Sequence, residues 1–100
     1  MYKSLHTRHN ELFLSLLRER REALGMRQAD LAEKLGQSQT IVSRVENGER
    51  RLDVIELRGW LGALELGFLP FMKALDSRLR DATLHETRLG RDFAAGRRPR

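Results

Sequence analysis

Apolar residues in this 100-residue chain recur mostly at intervals of three and four, which is the spacing of one face of an α-helix. No stretch shows the strict alternation of apolar and polar residues that is typical of a strand, and the β-branched residues fall mostly inside helical patterns. The pattern predicts helices over residues 8–24, 28–35, 39–46 and 54–66, with a fifth from about Pro70 to Leu89. The sequence therefore predicts an all-α fold.

Glycines mark the predicted helix ends. Gly25 and Gly36 directly follow the first two helices, where a left-handed C-terminal cap is expected. The pair Asn47-Gly48 is a strong stop signal after the third helix, and Gly67 is the predicted end of the fourth.

Predicted helix starts rest on residues that favour the N-cap or the first turn. Thr7 or Asn10 could cap the first helix, Ser38 the third and Asp53 the fourth, because their side-chain oxygens can accept from free backbone N–H groups. Pro70 fits the first turn of the fifth helix.

The apolar faces predict which residues form the core. They are Leu12, Phe13, Leu16, Leu17, Ala23, Leu24, Leu31, Ala32, Leu35, Ile41, Val42, Val45, Ile55, Leu57, Trp60, Leu61, Leu64, Phe71, Met72, Leu75 and Leu79. Gly59 and Gly62 lie within the fourth helix, where each costs about 1 kcal/mol relative to Ala. Glycine inside a helix often allows another helix to approach closely.

The second and third helices are both short and are separated by about three residues that include a glycine, which is the helix-turn-helix arrangement. The apolar side of the third helix packs inward and holds its polar side outward, a pose that fits the DNA major groove. Its polar residues suit base reading: Gln39 for adenine, Arg44 for guanine O6 and N7, Thr40 for the thymine methyl, together with Ser43. An ordinary solvated helix face is the alternative, but turn, spacing and outward polarity agree on a DNA-reading surface.

The segment LRERREALGMRQADLAEKLGQSQTIVSRVENGERRLDVIEL resembles the Xre/Cro-repressor type of helix-turn-helix, and the likeness extends over residues 11–67. Its marks are Arg18, Arg21, Gln28, Leu31-Ala32, Gly36, Val42-Ser43, Glu46 and Gly48. The resemblance implies a five-helix, lambda-repressor-like DNA-binding domain with the helix-turn-helix at about residues 28–47.

The resemblance also implies roles for single residues. Gln39, Thr40 and Arg44 match base-reading positions of the family, and Ser43 is expected near a base or a phosphate. Gln28 and Asn47 would contact phosphates, and Arg50 or Arg51 would add positive charge beside them.

Two further positions bear on the pose of the third helix. Arg21 and Glu46 match a buried ion pair of the family, and removing one partner would leave a buried charge unpaired. Arg27 stands where the family often has Ser or Thr, so we expect a side-chain cap to be lost and a phosphate contact to be gained.

Net charge is +5, which favours an acidic partner only weakly, because it is unevenly distributed. Residues 1–75 contain 12 Lys/Arg and 10 Asp/Glu, a net charge of +2. Residues 76–100 contain 7 Lys/Arg and 4 Asp/Glu, a net charge of +3. We predict a DNA-binding domain over residues 1–80. Residues 81–100 then form a helical extension and a partly disordered basic tail, which could serve solubility alone.

Composition argues against several other functions. The chain has no cysteine, and His6 and His9 lack the additional ligands of a metal site, so no metal and no cofactor is expected. No nucleophile–base pairing or phosphate loop is evident, so we expect no enzyme. Since no apolar run approaches the roughly 20 residues of a membrane span, we expect a cytoplasmic, nucleoid-associated protein.

These observations predict a sequence-specific transcriptional regulator of double-stranded DNA, most simply a repressor. One recognition helix reads few base pairs, so we expect a homodimer on an inverted repeat, with its two helices about 34 Å apart. Phe71, Leu75 and Leu79 are candidates for the dimer interface, with core packing as the alternative. Rival interpretations are an antitoxin that also binds a toxin and a protein-interaction adaptor; RNA polymerase is a further conceivable partner.

Overall fold

The computed structural model describes residues 5–89, and the side chains of residues 7–83. The helices are α1 (Leu5–Ala23), α2 (Gln28–Leu35), α3 (Gln39–Glu46), α4 (Val54–Ala63) and α5 (Phe68–Leu89). The all-α, five-helix prediction is therefore confirmed over the described part of the chain. No helix in that part is long and apolar enough to span a membrane.

A single apolar core lies between the helices. Its buried members are Leu14, Leu17, Leu31, Ala32, Val42, Val45, Leu57, Trp60, Leu61, Leu64 and Phe71. α2 packs on α3 and α4, while α1 packs on α3 and α5. Two helices of eight residues are too short to be stable alone, so this packing is what stabilises α2 and α3.

Helix α1 begins earlier than predicted. It starts at Leu5, so neither Thr7 nor Asn10 is its N-cap, and both lie inside the helix. A residue that favours capping does not interrupt a helix when the preceding residues continue it. The predicted N-caps of α3 and α4 are confirmed: the Ser38 hydroxyl accepts from the backbone N–H of Ile41 at 3.3 Å. Asp53 accepts from the backbone N–H of Glu56 at 2.7 Å.

Helix α4 ends earlier than predicted, at Ala63 and not before Gly67. The reversal occurs at Glu65, which adopts a positive φ of 58° that is uncommon outside glycine. The Arg20 guanidinium from α1 stabilises this end by donating to the carbonyls of Leu64 at 2.9 Å and Glu65 at 2.8 Å. A side chain distant in sequence thus helps to close the helix, which no local stop signal could reveal.

Some predicted core positions are wrong. Ile55 lies in the first turn of α4, on the side that faces solvent, and is 74% exposed. Ala23 is exposed at the end of α1. Apart from α4 itself, nothing in the described part of the chain lies within 4 Å of a Cβ added at Gly59 or Gly62, so no other described helix packs closely against these glycines. Phe71 is 2% exposed, so it belongs to the core and not to a dimer interface.

Candidate nucleic-acid interface

The turn between α2 and α3 fixes the angle at which α3 projects. Gly36 adopts φ 67°, a left-handed conformation that glycine enters without the Cβ penalty, and this allows the chain to reverse within three residues. The backbone N–H of Gln37 then donates to the carbonyl of Ala32 at 3.0 Å and closes the end of α2. The sequence prediction of a helix-turn-helix over about residues 28–47 is confirmed.

Helix α3 has a buried side and an exposed polar side. Val42 and Val45 are fully buried. The residues predicted to read bases lie opposite: Gln39, Thr40 and Arg44 are exposed and Ser43 is half-buried. Together with Asn47 and Glu49 they border one open groove of about 420 Å³. The structure therefore brings all four predicted base-reading residues together on one surface.

A buried ion pair ties the end of α3 to α1. Arg21 donates from Nε to Glu46 Oε2 at 2.6 Å and from Nη2 to Oε1 at 3.1 Å, and both residues are more than 90% buried. Arg21 Nη1 also donates to the carbonyl of Met26 at 2.6 Å. A nearby guanidinium, that of Arg18, donates to the backbone carbonyl of Glu46 at 3.2 Å. The pair positions α3 and does not face the groove.

Gln28 has a partner that the sequence did not indicate. Its Nε2 donates to Glu46 Oε1 at 2.9 Å, and the side chain is half-buried. One carboxylate therefore connects α1, the start of α2 and the end of α3. The predicted phosphate contact is compatible with this bond, because the amide retains a second N–H and its carbonyl oxygen.

Arg27 occupies the N-cap of α2, and its side chain makes no cap hydrogen bond. This agrees with the expectation that an arginine, at a position where the family often has Ser or Thr, loses the cap. Instead, the Asp30 carboxylate accepts from the backbone N–H of Arg27 at 2.8 Å and binds its guanidinium at 3.0 and 3.1 Å. These hydrogen bonds from Arg27 lower the pKa of Asp30 to about 2. The Arg27 side chain is 82% exposed, so it remains accessible while it is paired.

The remaining predicted phosphate ligands lie at and beyond the end of α3. Asn47 and Arg51 are exposed. Arg50 is half-buried and its Nη2 lies 2.8 Å from Glu56 Oε2, so its charge is already partnered. The hydrogen bond and charge of Arg50 lower the pKa of Glu56. Of the two arginines, Arg51 therefore offers the more available charge.

Glu49 borders the groove but was not among the predicted site residues. Its backbone N–H donates to the carbonyl of Arg44 at 2.8 Å, in the turn that Gly48 closes with φ 80°. The position of Glu49 directly after the Asn47-Gly48 stop was the only sequence signal, since a residue there must lie beside the last turn of α3.

Among the described residues, no group of three or more His, Cys, Asp or Glu side chains is placed so that it could hold a metal ion. His9 lies 3.2 Å from the Thr83 hydroxyl, a contact between α1 and α5. The side chain of His6 is not among the side chains that the structure describes, which are those of residues 7–83.

This geometry defines a helix-turn-helix DNA-binding domain, and comparisons with known proteins identify the family. The helix-turn-helix family model matches residues 17–69. An XRE-family like protein from Pseudomonas syringae pv. tomato str. DC3000 is 37% identical, with a TM-score of 0.69 over 73% of this chain and 89% of that one. The chain belongs to the XRE-type helix-turn-helix family of DNA-binding regulators.

A second group of similar structures comes from the restriction-modification controller protein C.Esp1396I. The wild-type protein is 26% identical, with a TM-score of 0.64 over 69% of this chain and 88% of that one. Its tetramer in complex with its natural 35 base-pair operator is 25% identical, with a TM-score of 0.65 over 71% and 93%. No curated protein gave a significant sequence match.

Proposed function

We propose that this protein is a transcriptional repressor that binds an inverted-repeat operator as a homodimer. The observation that carries the proposal is the exposed polar side of α3, whose opposite side is fixed by Val42, Val45 and the Arg21–Glu46 pair. A helix held in this way presents its side chains at a constant angle. Direct reading of base edges requires such constancy, because a bidentate contact tolerates little change in geometry.

The proposed contacts divide into two kinds. Gln39, Thr40, Ser43 and Arg44 read bases in the major groove, and Gln28, Arg27, Asn47, Arg50 and Arg51 bind phosphates on either side. Phosphate contacts orient the domain without carrying sequence information, whereas the residues of α3 select the operator. Occupation of a promoter by the dimer would exclude RNA polymerase. The operator complex of the similar C.Esp1396I controller protein supports DNA as the ligand and an oligomer as the binding form.

The proposed dimer uses the solvent-facing side of α4 and the start of α5. Val54, Ile55 and Leu69 are large apolar residues that are 59%, 74% and 75% exposed. Ile55, Gly59 and Gly62 recur at helical spacing, and the space above both glycines is open. A second copy could therefore bring a helix close to this backbone and cover the apolar side chains. This surface replaces Phe71, Leu75 and Leu79 as the candidate interface, because Phe71 is buried in the core, Leu75 packs against the core and Leu79 is only half-exposed.

Selection of bound duplexes from a random DNA pool at physiological salt tests the proposal. The wild-type protein should enrich a two-fold symmetric motif. Arg44→Ala should lose preference at one base pair per half-site, at a cost of about 1–3 kcal/mol. Lys73→Ala is the matched control, since it removes one exposed positive charge from α5 and should leave the motif unchanged.

Enrichment of an asymmetric motif would contradict the symmetric dimer while leaving DNA reading intact. An unenriched pool would contradict sequence-specific binding altogether. An unchanged motif with Arg44→Ala would remove that residue from the base-reading set.

A further inference from the structure

We infer that Glu49 is a specificity-determining residue whose carboxylate accepts a hydrogen bond from the amino group of a cytosine in the operator. The inference rests on the proposed function, since it assigns a further contact in the same interface. Glu49 borders the groove together with Gln39, Thr40, Ser43, Arg44 and Asn47. It is the acidic member of this set.

The carboxylate of Glu49 is available to a ligand. Glu49 is exposed, and its side chain has no hydrogen bond or ion pair with any other described residue. By contrast, three other carboxylates of the helix-turn-helix and the segment after it each bind an arginine: Asp30 binds Arg27, Glu46 binds Arg21 and Glu56 binds Arg50. Glu49 therefore differs from these three residues in having no cation partner among the described residues, and it differs from the equally exposed Glu33 of α2 in bordering the groove.

The chemistry of a free carboxylate limits what it can contact on DNA. Gln39, Thr40, Ser43, Arg44 and Asn47 all carry hydrogen-bond donors, which suit phosphate oxygens as well as base acceptors. An ionised carboxylate only accepts, so it is repelled by phosphates and finds donors only at exocyclic amino groups. In the major groove, the cytosine N4 amino group is the donor that Glu and Asp side chains commonly bind.

The backbone holds Glu49 at a fixed place relative to Arg44. The Glu49 N–H donates to the Arg44 carbonyl at 2.8 Å, and Gly48 N–H donates to the Val45 carbonyl at 3.0 Å. Both bonds join the residues after α3 to its last turn, so the backbone at Glu49 is fixed relative to the helix. Arg44 and Glu49 thus provide a donor and an acceptor on the border of one groove, which suits base pairs with opposite hydrogen-bonding patterns.

Glu49→Ala tests the inference, since it removes the carboxylate and keeps the backbone bonds to α3. The operator selected by the wild-type protein is labelled, and dissociation constants are measured by fluorescence anisotropy for it and for duplexes with each half-site base pair replaced. Discrimination should fall roughly 5- to 150-fold at one cytosine and stay unchanged elsewhere. Glu33→Ala is the matched control, because Glu33 is exposed on α2 and does not border the groove.

Two results would overturn the inference. One is a Glu49→Ala profile that matches Glu33→Ala at every position. The other is an equal gain in affinity for all duplexes, which would show that the carboxylate only repels the DNA backbone. If the wild-type protein selects no motif at all, the proposed function is contradicted, and the Glu49–cytosine contact is contradicted together with it. That outcome is distinguishable from the two above, because in them the wild-type protein still selects an operator.

Discussion

The side-chain amide of Gln28 lies 2.9 Å from the Glu46 carboxylate, to which it donates a hydrogen bond. Gln28 begins α2 and Glu46 ends α3, so the bond joins the two outer ends of the helix-turn-helix. The same carboxylate binds Arg21 of α1. A residue assigned to phosphate binding therefore also holds the recognition helix in place.

Gln28→Ala should lower both stability and DNA affinity. Loss of a half-buried hydrogen bond to a charged group should reduce the free energy of unfolding by about 1–2 kcal/mol, measured by urea denaturation. Affinity should fall for both operator and unrelated DNA, because a phosphate contact carries no sequence information, and any additional loss for the operator reports the weaker hold on α3. Gln37→Ala serves as the control, since Gln37 is an exposed amide in the turn. Unchanged affinity for unrelated DNA would contradict the phosphate role.

Breaking the Arg21–Glu46 pair should be severe and non-additive. Either Arg21→Met or Glu46→Leu leaves one buried charge without its main partner, and should reduce the free energy of unfolding by about 3–5 kcal/mol. The double variant should lose less than the sum of the two single losses. Urea denaturation of all four proteins completes the cycle. Strict additivity would show that the ion pair contributes little coupling.

The salt dependence of binding should single out Arg51. A dimer with about 6–10 phosphate contacts should show a log–log slope of about −5 to −9 for operator binding. Arg51→Ala should make that slope shallower by about 2 per dimer, because it removes one contact per protomer. Arg27→Ala should change the slope less, since Asp30 already pairs with that guanidinium. Equal effects of the two variants would refute this ranking.

The α4 surface predicts how the dimer can be dissociated. Ile55→Glu should yield a folded monomer, because the side chain is 74% exposed within one chain but covered in the proposed dimer. Light scattering after size exclusion measures the mass, and circular dichroism checks the fold. Ala74→Glu, at an exposed position of α5, is the matched control. A dimer that persists with Ile55→Glu would place the interface elsewhere.

Acid should remove the contribution of Asp30 to stability. Its pKa of about 2 lies below the ordinary value of 3.8, so the folded state favours the ionised form. This stabilisation is present above about pH 4 and disappears as the pH falls toward 2. Asp30→Asn should therefore make the loss of thermal stability between pH 4 and pH 2 smaller than in the wild-type protein. Identical pH profiles for the two proteins would contradict this account.

Local signals in the sequence were sufficient for the helix-turn-helix. The bounds of α2 and α3 follow from apolar spacing together with Gly36, Ser38 and the Asn47-Gly48 pair. The polar side of α3 follows from the same periodicity, because residues opposite Val42 and Val45 must face solvent. These features depend on a few neighbouring residues, which is why a single sequence reveals them.

Features that depend on distant contacts were not accessible in the same way. Glu65 closes α4 without glycine because Arg20, far away in the chain, binds the carbonyls there. Ile55 has the helical spacing of a core residue, yet α4 turns it to solvent. The base and phosphate roles of individual side chains, and the division at residue 80, remain predictions. Residues 90–100, the larger part of the expected basic tail, lie outside the described residues.

The separation between the two sides of α3 has an evolutionary consequence. Gln39, Thr40 and Arg44 are exposed, whereas the residues that position the helix are buried. Substitutions at exposed positions usually change stability by less than about 0.5 kcal/mol. If these three side chains read bases as proposed, new operator preferences can arise by their exchange on an unaltered scaffold. Paralogues that diverge only at these positions could share one cell and control different promoters without cross-talk.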